Sequence, residues 1–315
     1  MNKHFLRGGN SFYSTAIDSD RNCNMSENKK KPALTKEQID ELRDDLMLAD
    51  SLTRIENTLM ILSGKGGVGK STVAVNIAAA LAASDKSVGL LDIDIHGPSV
   101  PTLLKLEGRK ATAMSERGLV PVNFNDNLKV MSIEFVIHDE AQTEDAVIWR
   151  GPMKHRMIRQ FISEVNWGDL DFLIVDAPPG TGDEPLSICQ MAPPRSQAII
   201  VTTPQTVAIK DVRKSIKFCK SLEMPIFGII ENMSGFVCSS CGATHELFKG
   251  GGGERLAAET GFRFLGKIPI DPRMVTASDD GKPFVLEHPN TPAAQAFDAI
   301  IKPVLALAPM RMKKH

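Results

Sequence analysis

The sequence is poor in cysteine, carries no excess of either charge and contains no long apolar run. Its 315 residues include five cysteines, a small and odd number that argues against a disulfide framework and for a reducing compartment in which thiolate chemistry stays available. Lys plus Arg (37) and Asp plus Glu (38) nearly cancel. No global field therefore draws the chain to nucleic acid or to an anionic membrane, and any partner must be bound locally. The longest apolar stretches, such as Ile77 to Ala83 and Val304 to Leu307, fall well short of the roughly 20 residues of a membrane-spanning helix. No internal repeat and no apolar centre of a secretory signal occur. What remains is a cytoplasmic protein with no stable membrane association, long enough for one α/β domain with short appendages.

Residues 1–34 mix Asn, Ser, Gly and Lys without apolar periodicity and read as a tail. Its first sixteen residues hold Lys3, His4 and Arg7 with no acid, the weak outline of a presequence for the mitochondrial matrix, the alternative location. Thr35 and Gln38 have capping-box spacing and open a charged helix to about Ala49, within a helix-and-linker region 35–54. From there a domain spanning 55–308 alternates apolar strands near 58–63, 87–92, 129–133, 171–175, 197–202, 226–230 and 264–268 with helices at 70–83, 152–165, 183–191, 206–221, 253–260 and 291–308, Pro303 being expected to kink or interrupt the last. Strands apolar on both faces belong in a buried parallel sheet. The expected fold is a doubly wound, mostly parallel α/β sheet with helices on both faces and its ligand at the carboxyl ends of the strands. Gly250 to Gly253 reads as a loop entering a helix, and residues 309–315 as a basic tail.

The run Thr58 to Ser63 is followed by Gly64-Lys-Gly-Gly-Val-Gly-Lys-Ser71 and then by the helical pattern from Thr72. Strand, glycine loop and helix stand in the order of a phosphate-binding P-loop. The glycines Gly64, Gly66, Gly67 and Gly69, with Val68, let backbone N–H groups turn inward around phosphate oxygens of ATP, while the helix N-terminus at Ser71 and Thr72 adds partial positive charge. Lys70 is placed for the β- and γ-phosphates and Ser71 for Mg²⁺. A second lysine, Lys65, follows the first glycine, which an ordinary loop of this type does not require.

Two acidic positions close apolar strands. Asp92 and Asp94, two apart in Leu90-Leu-Asp-Ile-Asp, share a face while the strand persists and can orient water or reach Mg²⁺ through it. Asp176 ends Asp171-Phe-Leu-Ile-Val-Asp176, the pattern of a metal-side Walker B acid. The Pro178 to Gly182 loop behind it offers backbone N–H groups to a γ-phosphate.

Cys238 and Cys241 form a C-x-x-C followed by Gly242, which allows the bend that turns both sulfurs to one metal. Zinc and iron-sulfur sites commonly take four ligands. Cys189 and Cys219 sit at helical positions as packing thiols, Cys23 is alone in the tail, and His245 reads as an exposed loop residue. The economical completion is a two-fold homodimer pooling four sulfurs. A redox C-x-x-C is the competing reading.

With Ser63 to Ser71, Asp92-Ile-Asp-Ile-His-Gly-Pro-Ser99, Trp149-Arg-Gly-Pro-Met153, Asp176-Ala-Pro-Pro-Gly-Thr-Gly-Asp183, Glu231-Asn-Met-Ser234 and Cys238-Ser-Ser-Cys241, residues 55 to 308 resemble the Mrp/ApbC/Nbp iron-sulfur cluster carriers of the MinD-like, deviant P-loop ATPase class. The resemblance implies that Lys65 reaches phosphates across a dimer interface, that Asp94 positions the attacking water, and that Asn232 contacts adenine. It also implies a [4Fe-4S] cluster bridging two subunits, delivered to apo iron-sulfur proteins with assembly factors as partners, and slow ATP hydrolysis. Ser239 stands where many relatives have proline, and Arg150 gains no role. Two other functions fit the same motifs: a MinD/ParA-like positioning ATPase and a zinc-bridged regulatory ATPase dimer.

Overall fold

A computed structural model of the protein describes residues 35–36, 39, 42, 46, 49–51, 53–95, 97–114, 118–137, 151–192, 195–238, 241–248 and 251–307. Expectations for residues 1–34, Gln38, Trp149, Arg150, Ser239 and the 309–315 tail lie outside these. A leading helix, opened by the Ile39 N–H bond to the Thr35 carbonyl, is still helical at residue 53, past the expected end at Ala49.

The strands are β1 (Ile55–Ser63), β2 (Val88–Asp92), β3 (Thr112–Met114), β4 (Gly118–Val120), β5 (Val122–Asn123), β6 (Leu128–Ser132), β7 (Leu170–Asp176), β8 (Ser196–Thr202), β9 (Ile226–Val237), β10 (Thr244–His245) and β11 (Phe264–Ile270). A nine-stranded sheet runs in the order β10-β9-β8-β1-β7-β2-β6-β5, with β11 also paired to β9. Six of its strands, from β9 to β6, pair in parallel, as does β11 with β9. β1, which carries the glycine loop, is therefore central, flanked by β7 and β8.

Both sheet faces are buried, and the alternation along the strands shows why. Ile199 and Val201 of β8 and Ile230 of β9 join the larger core cluster, whereas their neighbours Ile200 and Ile229 join a second one. The larger cluster takes in Ala-rich helix Lys70–Ala83 and Phe297, Ile300, Ile301 and Val304 of helix Pro292–Leu305; the second takes in Val212 and Ile216 of helix Thr206–Ser221 and Leu256 of helix Gly252–Thr260. Neither face can be wetted, so the strands carry apolar residues throughout.

All seven expected strands and six expected helices occur, with ends shifted by a few residues, except that β9 runs seven residues beyond the expected 230 to Val237. The last helix passes through Pro303 and stops at Leu305, so the proline does not interrupt it. A proline this near a helix end forfeits only one of the last backbone bonds. That helix is docked through its apolar face rather than left free, and among the described residues no helix is long and apolar enough to cross a membrane. Not anticipated were the β3–β4 hairpin, β5, β10 and the short helices Val100–Leu103, Glu134–Ile137, Arg273–Asp279 and Phe284–Glu287.

Candidate functional site

The glycine loop leaves β1 at Ser63 and enters helix Lys70–Ala83 at Gly69. Gly67 and Gly69 have left-handed backbones, φ 75° and 77°, which turn the peptide groups of the loop inward at little cost only for glycine. Ser63 Oγ donates to the Lys65 carbonyl at 3.0 Å, and the Gly180 N–H donates to the Ser63 carbonyl at 2.9 Å. The Pro178 to Gly182 loop is thus stitched to the base of the glycine loop through one of the N–H groups expected to sense a phosphate.

Lys70 is buried and its Nζ lies 2.5 Å from Asp176 Oδ1 and 3.4 Å from Ser71 Oγ. Lys65, half-buried, lies 3.4 Å from Gln205 Oε1. Asp92 and Asp176 are register partners at the ends of β2 and β7. Asp92 accepts from the Asp94 N–H at 3.1 Å, from the Val100 N–H at 3.2 Å and from Ser132 Oγ at 3.4 Å. Burial pushes its pKa up to about 7, the Asp176 carboxylate adds to the rise, and the two N–H donors and Lys70 oppose it. Burial likewise raises Asp176, against the pull of the Lys70 charge. Asp94 sits half-buried just beyond the strand.

Asp176 Oδ2 is buried without a hydrogen-bond partner. An orphaned carboxylate oxygen beside the Ser71 hydroxyl and a second carboxylate is a hard oxygen donor set, and it fits Mg²⁺. Among the described residues no three His, Cys, Asp or Glu side chains come together as a candidate metal cage.

Asn232, at the end of the β9 segment paired with β8, donates from Nδ2 to the Val68 carbonyl at 2.9 Å. It also lines a cavity of about 280 Å³ with Gly69, Thr72, Met233, Ile270, Met274 and others. Its amide is therefore tied to the glycine loop, and the residue borders a space beside it. Sequence reasoning missed its neighbour Glu231. That fully buried carboxylate accepts from the Gly253 N–H at 2.6 Å, the Gly251 N–H at 3.3 Å and Ser234 Oγ at 2.6 Å, so it caps the helix that the glycine run opens at Gly251. The available signal was the same as for Asp92 and Asp176, an apolar strand ending in an acid.

The cysteine pair sits at the tip of the β9–β10 hairpin. Phe236 pairs with His245 and Val237 with Thr244. The Cys238 N–H donates to the Ala243 carbonyl and the Gly242 N–H to the Cys238 carbonyl, each at 2.9 Å. Gly242 has φ 71°, the tight bend expected of it. Cys238 is half-buried and Cys241 exposed. His245 is exposed as expected, but it lies in a strand rather than a loop. Cys219 is buried in helix Thr206–Ser221 and Cys189 half-buried in helix Asp183–Met191; burial pushes their thiols up to about 11 and about 12. The structure thus gathers Lys70, Ser71, Asp92 and Asp176, with Asn232 against the same loop, and carries Cys238 and Cys241 on the outer continuation of β9.

The sequence model of the ParA family described as NUBPL iron-transfer P-loop NTPase matches residues 54–305. An iron-sulfur cluster carrier protein of Methanocaldococcus jannaschii is 46% identical over 91% of this chain and 97% of its own. The cytosolic Fe-S cluster assembly factor NUBP2 of Bos taurus is 42% identical over 82% of this chain and 96% of its own. Among solved structures, a nucleotide-binding protein of Archaeoglobus fulgidus in complex with ADP shares 39% identity, with a TM-score of 0.67, over 76% of this chain and 92% of that one. The cell-division ATPase MinD of Pyrococcus furiosus, 21% identical with a TM-score of 0.59 over 80% of this chain and 99% of its own, shares the fold.

Proposed function

The chain belongs to the ParA family of iron-transfer P-loop NTPases, and from that premise we propose that it is an ATP-hydrolysing carrier that binds a [4Fe-4S] cluster between two copies of itself and passes it to apo iron-sulfur proteins. One observation carries the reading: two cysteines three positions apart, one exposed and one half-buried, stand at a hairpin tip whose strand also touches the glycine loop. Two thiolates are half of a four-sulfur site. A symmetric partner supplies the other half through the same residues.

ATP is the substrate at the glycine loop, which meets β9 at Asn232, six residues before Cys238. Backbone N–H groups from Gly64 to Ser71, with Thr72, surround its phosphates, and Lys70 exchanges Asp176 for the β- and γ-phosphate oxygens. Ser71, Asp92 and Asp176 would hold Mg²⁺, directly or through water, and the ion would supply charge neutralisation on those phosphates. Asp94 orients the water whose oxygen bonds to the γ-phosphorus as the bond to the leaving β-phosphate oxygen breaks. Lys65 reaches the partner's nucleotide, and Asn232 and its cavity receive the base. Assembly factors and cytosolic apoproteins are the expected partners, in line with the role named for the bovine relative.

Anaerobic reconstitution of the full chain with iron and sulfide tests this. The expected product is a brown dimer with four irons and four sulfides per two chains, whose cluster moves to an apo-enzyme at a rate that responds to ATP. A monomer holding a complete four-iron cluster sinks the shared-site reading, and a colourless zinc dimer under the same conditions favours the regulatory alternative.

A further inference from the structure

Met233 differs from every other described non-glycine residue of left-handed backbone. Asp85, Lys105 and Glu223 each stand just past the end of a helix, where such a residue is an ordinary terminator. Met233, φ 56°, lies inside strand β9, and Gly235, φ 81°, lies two residues on. Between them β9 falls out of step with β11. Asn232 faces Ile268 and Phe236 faces Ile270, so Met233, Ser234 and Gly235 stand opposite Pro269 alone. Proline has no N–H to add to the ladder, and the extra backbone on the β9 side is accommodated by the two left-handed residues. Bulges of this kind bend a strand and re-aim the side chains beyond it, and a non-glycine residue held left-handed within one persists only where its surroundings enforce it.

The surroundings here are clamps on both sides. Upstream, Glu231 is fixed by Gly251, Gly253 and Ser234, and Asn232 is bonded to the Val68 carbonyl of the glycine loop. A side chain on Gly69 would fall on the Asn232 amide nitrogen, so the loop and β9 are in close contact. Downstream, the hairpin pairs and the backbone bonds of Cys238 and Gly242 hold the main chain that carries the thiols. Pro269, opposite the bulge, and Ile270, just beyond it, line both the cavity beside Asn232 and a second cavity of about 490 Å³ beside Cys238. Regular pairing along this path is interrupted at the bulge.

We propose that the Met233–Gly235 bulge is the positioning element that sets the placement of Cys238 and Cys241 according to the state of the glycine loop, with Met233 as the residue that holds its shape. A displacement at Val68 reaches Asn232 through their hydrogen bond, and a bulge of fixed shape passes it to the hairpin, where a compliant one absorbs it. The inference rests on Cys238 and Cys241 being the working thiols of the carrier.

The test is the alkylation rate of Cys238 and Cys241 in the full chain, followed by peptide mass spectrometry, at saturating ATP and without nucleotide. The expected ratio of the two rates in the parent is at least threefold from unity. In Met233→Gly, which frees the backbone, the ratio falls to within about 1.5-fold of unity; in Met233→Asn, whose side chain tolerates the left-handed region, it is retained. Gly235→Ala, at a position outside both cavity linings, also collapses it by making that left-handed turn costly. A parent ratio of one, or a ratio unchanged in both Met233→Gly and Gly235→Ala, overturns the proposal and leaves the bulge as a local irregularity of the strand. Failure of the parent to take up iron and sulfide defeats the carrier reading instead, without altering this ratio.

Discussion

Asp92 and Asp176 face each other as register partners on adjacent parallel strands, both fully buried, with the single ammonium of Lys70 at 2.5 Å from Asp176 Oδ1. Two carboxylates and one lysine leave one negative charge without a counter-ion whenever both acids are ionised, and burial amplifies that imbalance. A divalent cation with a polyphosphate resolves it. In Asp92→Asn, Mg²⁺ should therefore add much less to the thermal stabilisation given by a non-hydrolysable ATP analogue than it does in the parent. An equal Mg²⁺ increment in the two proteins would remove Asp92 from the cation site.

The nucleotide and cysteine ends should separate under mutation. Lys70→Ala is expected to lower the ATPase rate by about 10²–10³-fold, the usual cost of one electrostatic stabiliser of transition-state charge, with iron and sulfide per chain retained on reconstitution. Cys238→Ala should show the opposite pattern. Phosphate release and iron assays on both variants decide it, and loss of hydrolysis alone in both would contradict the carrier function.

Gly69→Ala forces a side chain into the left-handed region and onto the Asn232 amide. Nucleotide binding should weaken at least tenfold by calorimetry. The same change at Gly67, which is left-handed but has open space around a would-be Cβ, should cost less, so equal losses at the two glycines would discount the Asn232 contact.

Glu231→Ala removes the acceptor of two backbone N–H groups and one hydroxyl in a buried setting. The expected loss is about 2–4 kcal/mol, from an unsatisfied buried donor and a lost helix cap. Glu231→Gln, which keeps one acceptor oxygen, should lose about half as much. Urea midpoints measure both, and a neutral Glu231→Ala would mean that the helix at Gly251 is capped otherwise.

Cys219 and Cys189 have folded-state pKa values of about 11 and about 12, above the ordinary value of 9.0. The folded protein thus holds these protons after the unfolded chain has released them. Stability from the thiols is complete below about pH 9 and is lost as pH rises from there through 11 to 12. Cys219→Ala should flatten the fall in stability between about pH 9 and pH 11, read from urea midpoints; an unchanged slope would locate the alkaline transition elsewhere.

Much of the site is legible in the sequence because it is local. The glycine loop is eight consecutive residues after a strand, Asp92 and Asp176 each end an apolar run, and Cys238 and Cys241 are three apart. Chain order alone fixes such features. The pattern ends the leading helix and β9 too early, and it gives no sign of the small elements from β3 to β5 and from Arg273 to Glu287. Strands of two or three residues and helices of two turns or fewer contain too few side chains to express a period of 2 or 3.6.

Residue types at short spacing were enough for the parallel sheet, the phosphate loop and the two-thiol turn. Three relationships needed the folded molecule: the bond from Asn232 to Val68, the closure of the helix at Gly251 by Glu231, and the left-handed Met233 between the nucleotide loop and the cysteines. Asn232 and Val68 are 164 residues apart, and no local pattern reports which carbonyl a buried amide finds once the strands have packed. Strand pairing brings distant chain segments within hydrogen-bond reach, and buried polar groups must then take partners from whatever the packing sets beside them.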